Sequence, residues 1–155
     1  MRLVLIAAGT RLPSWVNEGV AEYAARLKGE YRFELKEIPL GQRSGGDVKQ
    51  ALAKERERMS AALPANAYLV ALQVTGQPLT SEQLAKFLET RARDGRDVAF
   101  LIGGPDGIPP ELDARADFRW SLSPLTLPHA MARIVVAEAL YRAVTIIKGH
   151  PYHRA

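Results

Sequence analysis

The residues of this 155-residue chain best equipped for chemistry gather at one end. The last six, His150-Pro151-Tyr152-His153-Arg154-Ala155, hold two imidazoles, a phenol and a guanidinium. Such groups stack on a nucleobase, bind phosphate and move a proton. Upstream, Glu138 and Arg142 stand i, i+4 with the carboxylate first, the order in which a helix pairs them. They read either as a partly buried structural ion pair, at a dimer interface for example, or as a carboxylate holding an arginine ready for phosphate or a base. Two loops could hold a ligand. Ile102-Gly103-Gly104-Pro105-Asp106-Gly107 brings three glycines to the end of an apolar run. Glycine lets a main chain approach a ligand closely, although the same residues also make a tight turn. Ser121-Leu122-Ser123-Pro124-Leu125-Thr126-Leu127-Pro128-His129 is unusually apolar for a surface loop. It should be buried by the fold, by a second subunit, or around an apolar ligand such as an adenine ring, with main-chain amides that need partners.

Charge follows the same distribution. The net charge is +4, and residues 119–155 account for all of it: five basic residues against the single acid Glu138. The preceding 118 residues carry 16 of each sign, and all three histidines lie in the basic end. A cationic, His-rich end suits an anionic partner such as nucleic acid or nucleotide. With no cysteine, disulfides, thiolate catalysis and cysteine-ligated metal are excluded. His150 and His153 flank a proline rather than sharing a helix face, which makes a poor metal pair, and no metal is expected. There is no Walker-type phosphate loop, no G-x-G-x-x-G after the first apolar run and no G-x-S-x-G elbow. No apolar stretch reaches about 18 residues, so a soluble, cytoplasmic protein without membrane contact is expected.

Positioning these groups requires a scaffold, and the apolar runs supply one. Residues 3–8, 31–38, 67–74, 98–102 and 118–122 read as strands. Between them, helices are expected from Ser14 to about Lys28, from an Asp47 cap to about Leu63, from a Thr80–Gln83 capping box to about Asp94, and around residues 110–116. Thr75-Gly76-Gln77-Pro78 reads as a turn. Pro128 suits the first position of a final helix reaching about Ile147, apolar on nearly all sides and therefore buried in a core or interface. The alternation implies a single α/β domain over residues 1–155, a mostly parallel sheet flanked by helices. Its ligand would lie beyond the carboxyl ends of the strands, at the loops after Val74, Ile102 and Leu122.

The sequence resembles the ribosomal RNA large-subunit methyltransferase H family over its whole length. The likeness rests on Leu101 to Gly107, Ser121 to His129, then Arg133, Glu138, Tyr141-Arg142, and His150 to Arg154. It rests also on Ala8-Gly9-Thr10 with Pro13 and Trp15, and on Glu37-Ile38-Pro39. Asp106 stands where many relatives carry glutamate. The resemblance implies a SPOUT-type α/β fold with a carboxyl-terminal trefoil knot, working as a homodimer. It implies S-adenosylmethionine-dependent methylation of N3 of a pseudouridine in 23S rRNA, and the small basic footprint of the chain adds the expectation that the substrate is the assembled 70S ribosome. The cofactor would be held by Leu72, Gly103, Leu122, Ser123, Pro124, Leu125, Thr126 and Leu127. His153 is the first candidate for the base. Arg142 and Arg154 would stabilise an anion or phosphate, Glu138 would orient Arg142, and Tyr152 would stack on or bond the target base. Arg133 and His129 are secondary candidates for interface or cofactor contacts. A non-catalytic RNA- or ribosome-binding protein is the alternative, distinguished by lack of affinity for the cofactor. A nucleotide-binding hydrolase is disfavoured by the missing phosphate motifs.

Overall fold

The computed structural model describes residues 1–154. Five strands, β1 (Arg2–Ala8), β2 (Arg32–Ile38), β3 (Tyr68–Pro78), β4 (Val98–Ile102) and β5 (Phe118–Ser121), form one sheet in the order β2-β1-β4-β3-β5. Every neighbouring pair is parallel. A parallel strand is buried on both faces. Hence β1 and β4 read as unbroken apolar runs, and β4 is buried throughout.

Helices α1 (Ser14–Arg26), α3 (Ser81–Arg93) and α5 (His129–Ile147) cover one face of the sheet. Leu3, Leu5, Phe100 and Trp120 of the strands meet Val20, Leu88, Val136 and Leu140 of these helices there. Helices α2 (Val48–Ala62) and α4 (Pro110–Arg115) cover the other face, with Val4, Ile6 and Leu101 against Met59 and Leu112. The expected caps form. Asp47 accepts from the Gln50 N–H, and Thr80 and Gln83 make a reciprocal capping box. α1 is the exception: Pro13 is its N-cap, Ser14 is already helical, and no side chain caps it.

Two expectations are corrected. The Thr75–Pro78 turn signal does not end the strand. Leu72 and Gln77 both pair with Trp120, so residues 73–76 bulge out and β3 resumes at Gln77 and Pro78. A turn-type sequence marks a bulge as readily as a strand end. α5 is buried on the face it turns to the core, and one further side stays open in the single chain. Met131 is 41% exposed, and Val135, Glu138 and Arg142, which continue its stripe at helical spacing, are only partly covered. Pro128 is the N-cap of α5 rather than its first residue. No helix among the described residues is long and apolar enough to cross a membrane.

Candidate active site

At the carboxyl ends of β3, β4 and β5 lies a cleft of about 370 Å³ with a mainly apolar lining. Seven of the eight expected cofactor residues line it: Leu72, Gly103, Leu122, Ser123, Leu125, Thr126 and Leu127. Pro124 is exposed and does not. In the single chain Leu122, Ser123 and Leu127 are half-buried while Leu125 is 72% exposed on the rim, so the fold alone does not bury this loop. The Leu125 N–H donates to Ser123 Oγ (2.9 Å), whereas those of Ser123, Thr126 and Leu127 reach no main-chain carbonyl among the described residues. An apolar slot edged by free amides matches the face and edge of a purine, so the residues present fit an adenosyl group. Gly103 turns the chain so tightly that a Cβ would lie 2.2 Å from the Gly107 carbonyl carbon.

Further residues complete this wall. Trp120 and Ile108 contribute apolar surface, Val74 and Gln73 come from the bulge, and His129 and Ala132 come from the start of α5. The bulge residues carry no sequence signal beyond the turn that hid them. His129, a secondary candidate for cofactor contacts, lies at the wall, and Arg133, four residues on in the same helix, is hydrogen-bonded to its ring.

The second group of candidates forms its own cluster. Arg142 donates to Glu138 through Nε (3.1 Å) and Nη2 (2.8 Å). The Tyr152 hydroxyl donates to the same Oε2 (3.1 Å), and its ring packs edge-on against Tyr141. The tail is therefore docked on α5 rather than frayed, in a 3₁₀ turn over Pro151–His153 capped by His150. Burial, then hydrogen bonds with Tyr23 and Glu138, push the Tyr152 phenol up to about 12. The bond to Glu138, ahead of the counteracting effect of burial, raises Arg142 above its ordinary value. His153 is half-buried, with no hydrogen-bond partner for Nδ1 among the described residues, and Arg154 is exposed. Ala155 lies outside the described residues. No group of three potential metal ligands occurs among the described residues.

The structure does not bring the two groups together in one chain. None of Glu138, Arg142, Tyr152, His153 and Arg154 lines the cleft. His129 at its wall and Arg142 are 13 residues apart on one helix, about 20 Å along the axis.

A family profile described as predicted SPOUT methyltransferase matches residues 1–153. The chain belongs to the SPOUT methyltransferase family. This SPOUT methyltransferase is 56% identical over 156 residues to "Ribosomal RNA large subunit methyltransferase H" of Stenotrophomonas maltophilia, with all of both chains covered. It is 52% identical to the protein of the same name from Pseudomonas fluorescens, over 99% of this chain and 100% of that one. Its fold matches the crystal structure of a probable methyltransferase from Bordetella pertussis, with a TM-score of 0.57 at 17% identity, covering 92% of this chain and 93% of that one.

Proposed function

We propose that this SPOUT methyltransferase transfers a methyl group from S-adenosylmethionine to N3 of a pseudouridine in 23S rRNA of the assembled 70S ribosome. The observation that carries the reading is the apolar, amide-edged cleft built by residues 72, 103 and 122–127 in a chain more than half identical to named rRNA methyltransferases. When bound, S-adenosylmethionine supplies an electrophilic methyl on a sulfonium. The protein must deal with the acceptor. N3 of the base is an imide nitrogen that keeps its proton at neutral pH. His153 takes that proton, and Arg142, held by Glu138, stabilises the imide anion. Arg154 meets phosphate or the same anion. Tyr152 stays a neutral phenol and packs beside the base. Pro124 shapes the 122–127 loop without lining the slot.

That none of the candidate catalytic residues lines the cleft of its own chain supports a homodimer in which each tail serves the partner's cleft. The stripe Met131, Val135, Glu138, Arg142 places apolar surface and candidate catalytic groups on one side of α5, and Trp15 and Leu125 add exposed apolar surface. Such a face suits a second copy of the chain. The return of the chain from β5, at the sheet edge, to α5 between α1 and α3 is the path along which a trefoil knot would be threaded. The enzyme would work in the cytoplasm, where ribosomes are.

Calorimetric titration with S-adenosylmethionine tests the reading. Saturable binding is expected, and Gly103→Val should abolish it. A protein that binds RNA but never the cofactor would instead be the non-catalytic RNA-binding protein.

A further inference from the structure

Arg133 is the largest side chain buried completely in this molecule, and its partners come from three places. Nη2 donates to the Gly9 carbonyl after β1 (2.8 Å), Nη1 to Glu37 at the end of β2, and Nε to His129 Nε2 on its own helix (2.9 Å). His129 Nδ1 lies 3.0 Å from the Gly103 carbonyl. Gly9 presents this carbonyl from a backbone with φ +124°, a conformation that favours glycine.

The proton positions in this chain of contacts follow from chemistry alone. An arginine Nε–H can only donate, and a carbonyl oxygen can only accept. His129 Nε2 must therefore be the unprotonated nitrogen, and Nδ1 must carry the proton given to Gly103. The imidazole is neutral and held in one tautomer. A second proton would have to sit on Nε2, against the Arg133 Nε–H, and would break that bond. Around the ring, the charged groups are Arg133 on α5 and Glu37 from β2, while β4 offers the Gly103 carbonyl. Burial first, and then the Arg133 cation, hold the imidazole below its ordinary ionisation range, against the opposing bond to Gly103 and the charge of Glu37.

We infer that His129 is a positioning residue of the cofactor cleft: locked by Arg133 in its Nδ1–H tautomer, it holds the Gly103 carbonyl and so the glycine loop in the binding shape, and a proton on Nε2, set against the buried Arg133 cation, unseats the ring and loosens that hold. Both His129 and Gly103 line the cleft, so the loop wall moves with the ring. The inference rests on the cleft being the S-adenosylmethionine site. Cofactor affinity should then be acid-sensitive, although no ionisable side chain of the cleft wall other than His129 changes charge as the pH falls from 7 to 5. The cofactor's own amino group titrates above that range.

Two measurements on the full-length protein test this. Calorimetric titration with S-adenosylmethionine between pH 7 and pH 5 should show affinity falling about tenfold in the native protein. His129→Asn keeps a donor near Gly103 but does not ionise. Having lost the bond to Arg133, it should bind about tenfold more weakly than the native protein at pH 7 and then stay level down to pH 5. A native affinity independent of pH, or an acid response that survives in His129→Asn, overturns the inference and leaves the cofactor site standing. No binding at pH 7 would instead remove the cofactor reading itself. Nitrogen-15 imidazole spectra need neither cofactor nor variant activity. They should show His129 protonated at Nδ1 and bare at Nε2 at pH 7, and the opposite tautomer overturns the assignment.

Discussion

Tyr152 and Glu138 show how residue spacing both informs and misleads. The i, i+4 relation of Glu138 and Arg142 follows from 3.6 residues per turn, and the pair forms as expected. That Tyr152 is the third member could not be read from the sequence, because it depends on where a turn after Gly149 sets the tail down. Tyr152, proposed to pack beside the target base, also donates to Glu138 within its own chain. The phenol raised to about 12 has a measurable consequence. Its folded value lies above the ordinary value of about 10, so its stabilising contribution is complete below pH 10 and is lost as the pH rises through 12. A spectrophotometric titration should show one tyrosine ionising near pH 12, and Tyr152→Phe should remove that component. If all five tyrosines titrate near pH 10 in the folded protein, the Tyr152–Glu138 contact does not exist in solution.

At the scale of elements, the buried strands and the capped helices were readable because each has a local cause. Apolar runs need two covered faces, and Asp47 and Thr80 satisfy helix amides within three residues. Strand order, the 73–76 bulge and the exposed stripe of α5 were not readable, since they depend on which distant element lies alongside. Long-range polar ties were equally hidden. Glu55 sits in α2 with no exposure. Its Oε2 accepts from the Gly41 N–H (2.9 Å) and from Arg43 Nη1 (2.7 Å). Arg43 Nε in turn donates to Asp106 of the glycine loop (2.7 Å). Asp106 therefore faces Arg43 rather than the cleft, consistent with main-chain atoms shaping the ligand site. Glu55→Ala strips partners from Gly41 and Arg43 and leaves a void, and should cost about 3 kcal/mol in urea unfolding. A loss below about 1 kcal/mol would mean that the latch contributes little to holding the loop.

For the whole molecule, the single chain poses a problem of reach. None of the candidate catalytic residues lines the cleft of its own chain, and the proposed homodimer would bring each tail to its partner's cleft. Mixed dimers test this directly. His153→Ala alone and Thr126→Arg, which blocks the cleft rim, alone should each be inactive. Mixed under conditions that exchange subunits, they should regain roughly a quarter of the native rate, because half the dimers are hybrid and each hybrid holds one intact site. No recovery from demonstrably mixed dimers would place cleft and tail of the same chain in each site. The +4 charge gains meaning here as well. Of the basic residues in 119–155, Arg133 is buried against Glu37 and Arg119 pairs with Asp113, which leaves the tail's Arg154 and the Glu138-held Arg142 as the cations nearest the proposed chemistry. The net charge remains small for a protein gripping RNA by charge alone, which is why an assembled ribosome, with its fixed shape, is the proposed substrate.

The account therefore turns on where the methyl group lands. The most direct measurement is incubation of 70S ribosomes lacking the modification with this protein and isotopically labelled S-adenosylmethionine, followed by nucleoside mass spectrometry of the digested 23S rRNA. The label should appear in one nucleoside, a pseudouridine carrying the methyl at N3, and naked 23S rRNA should take up little. Label on a ribose oxygen or another base, or no transfer by a protein shown to bind the cofactor, would contradict it.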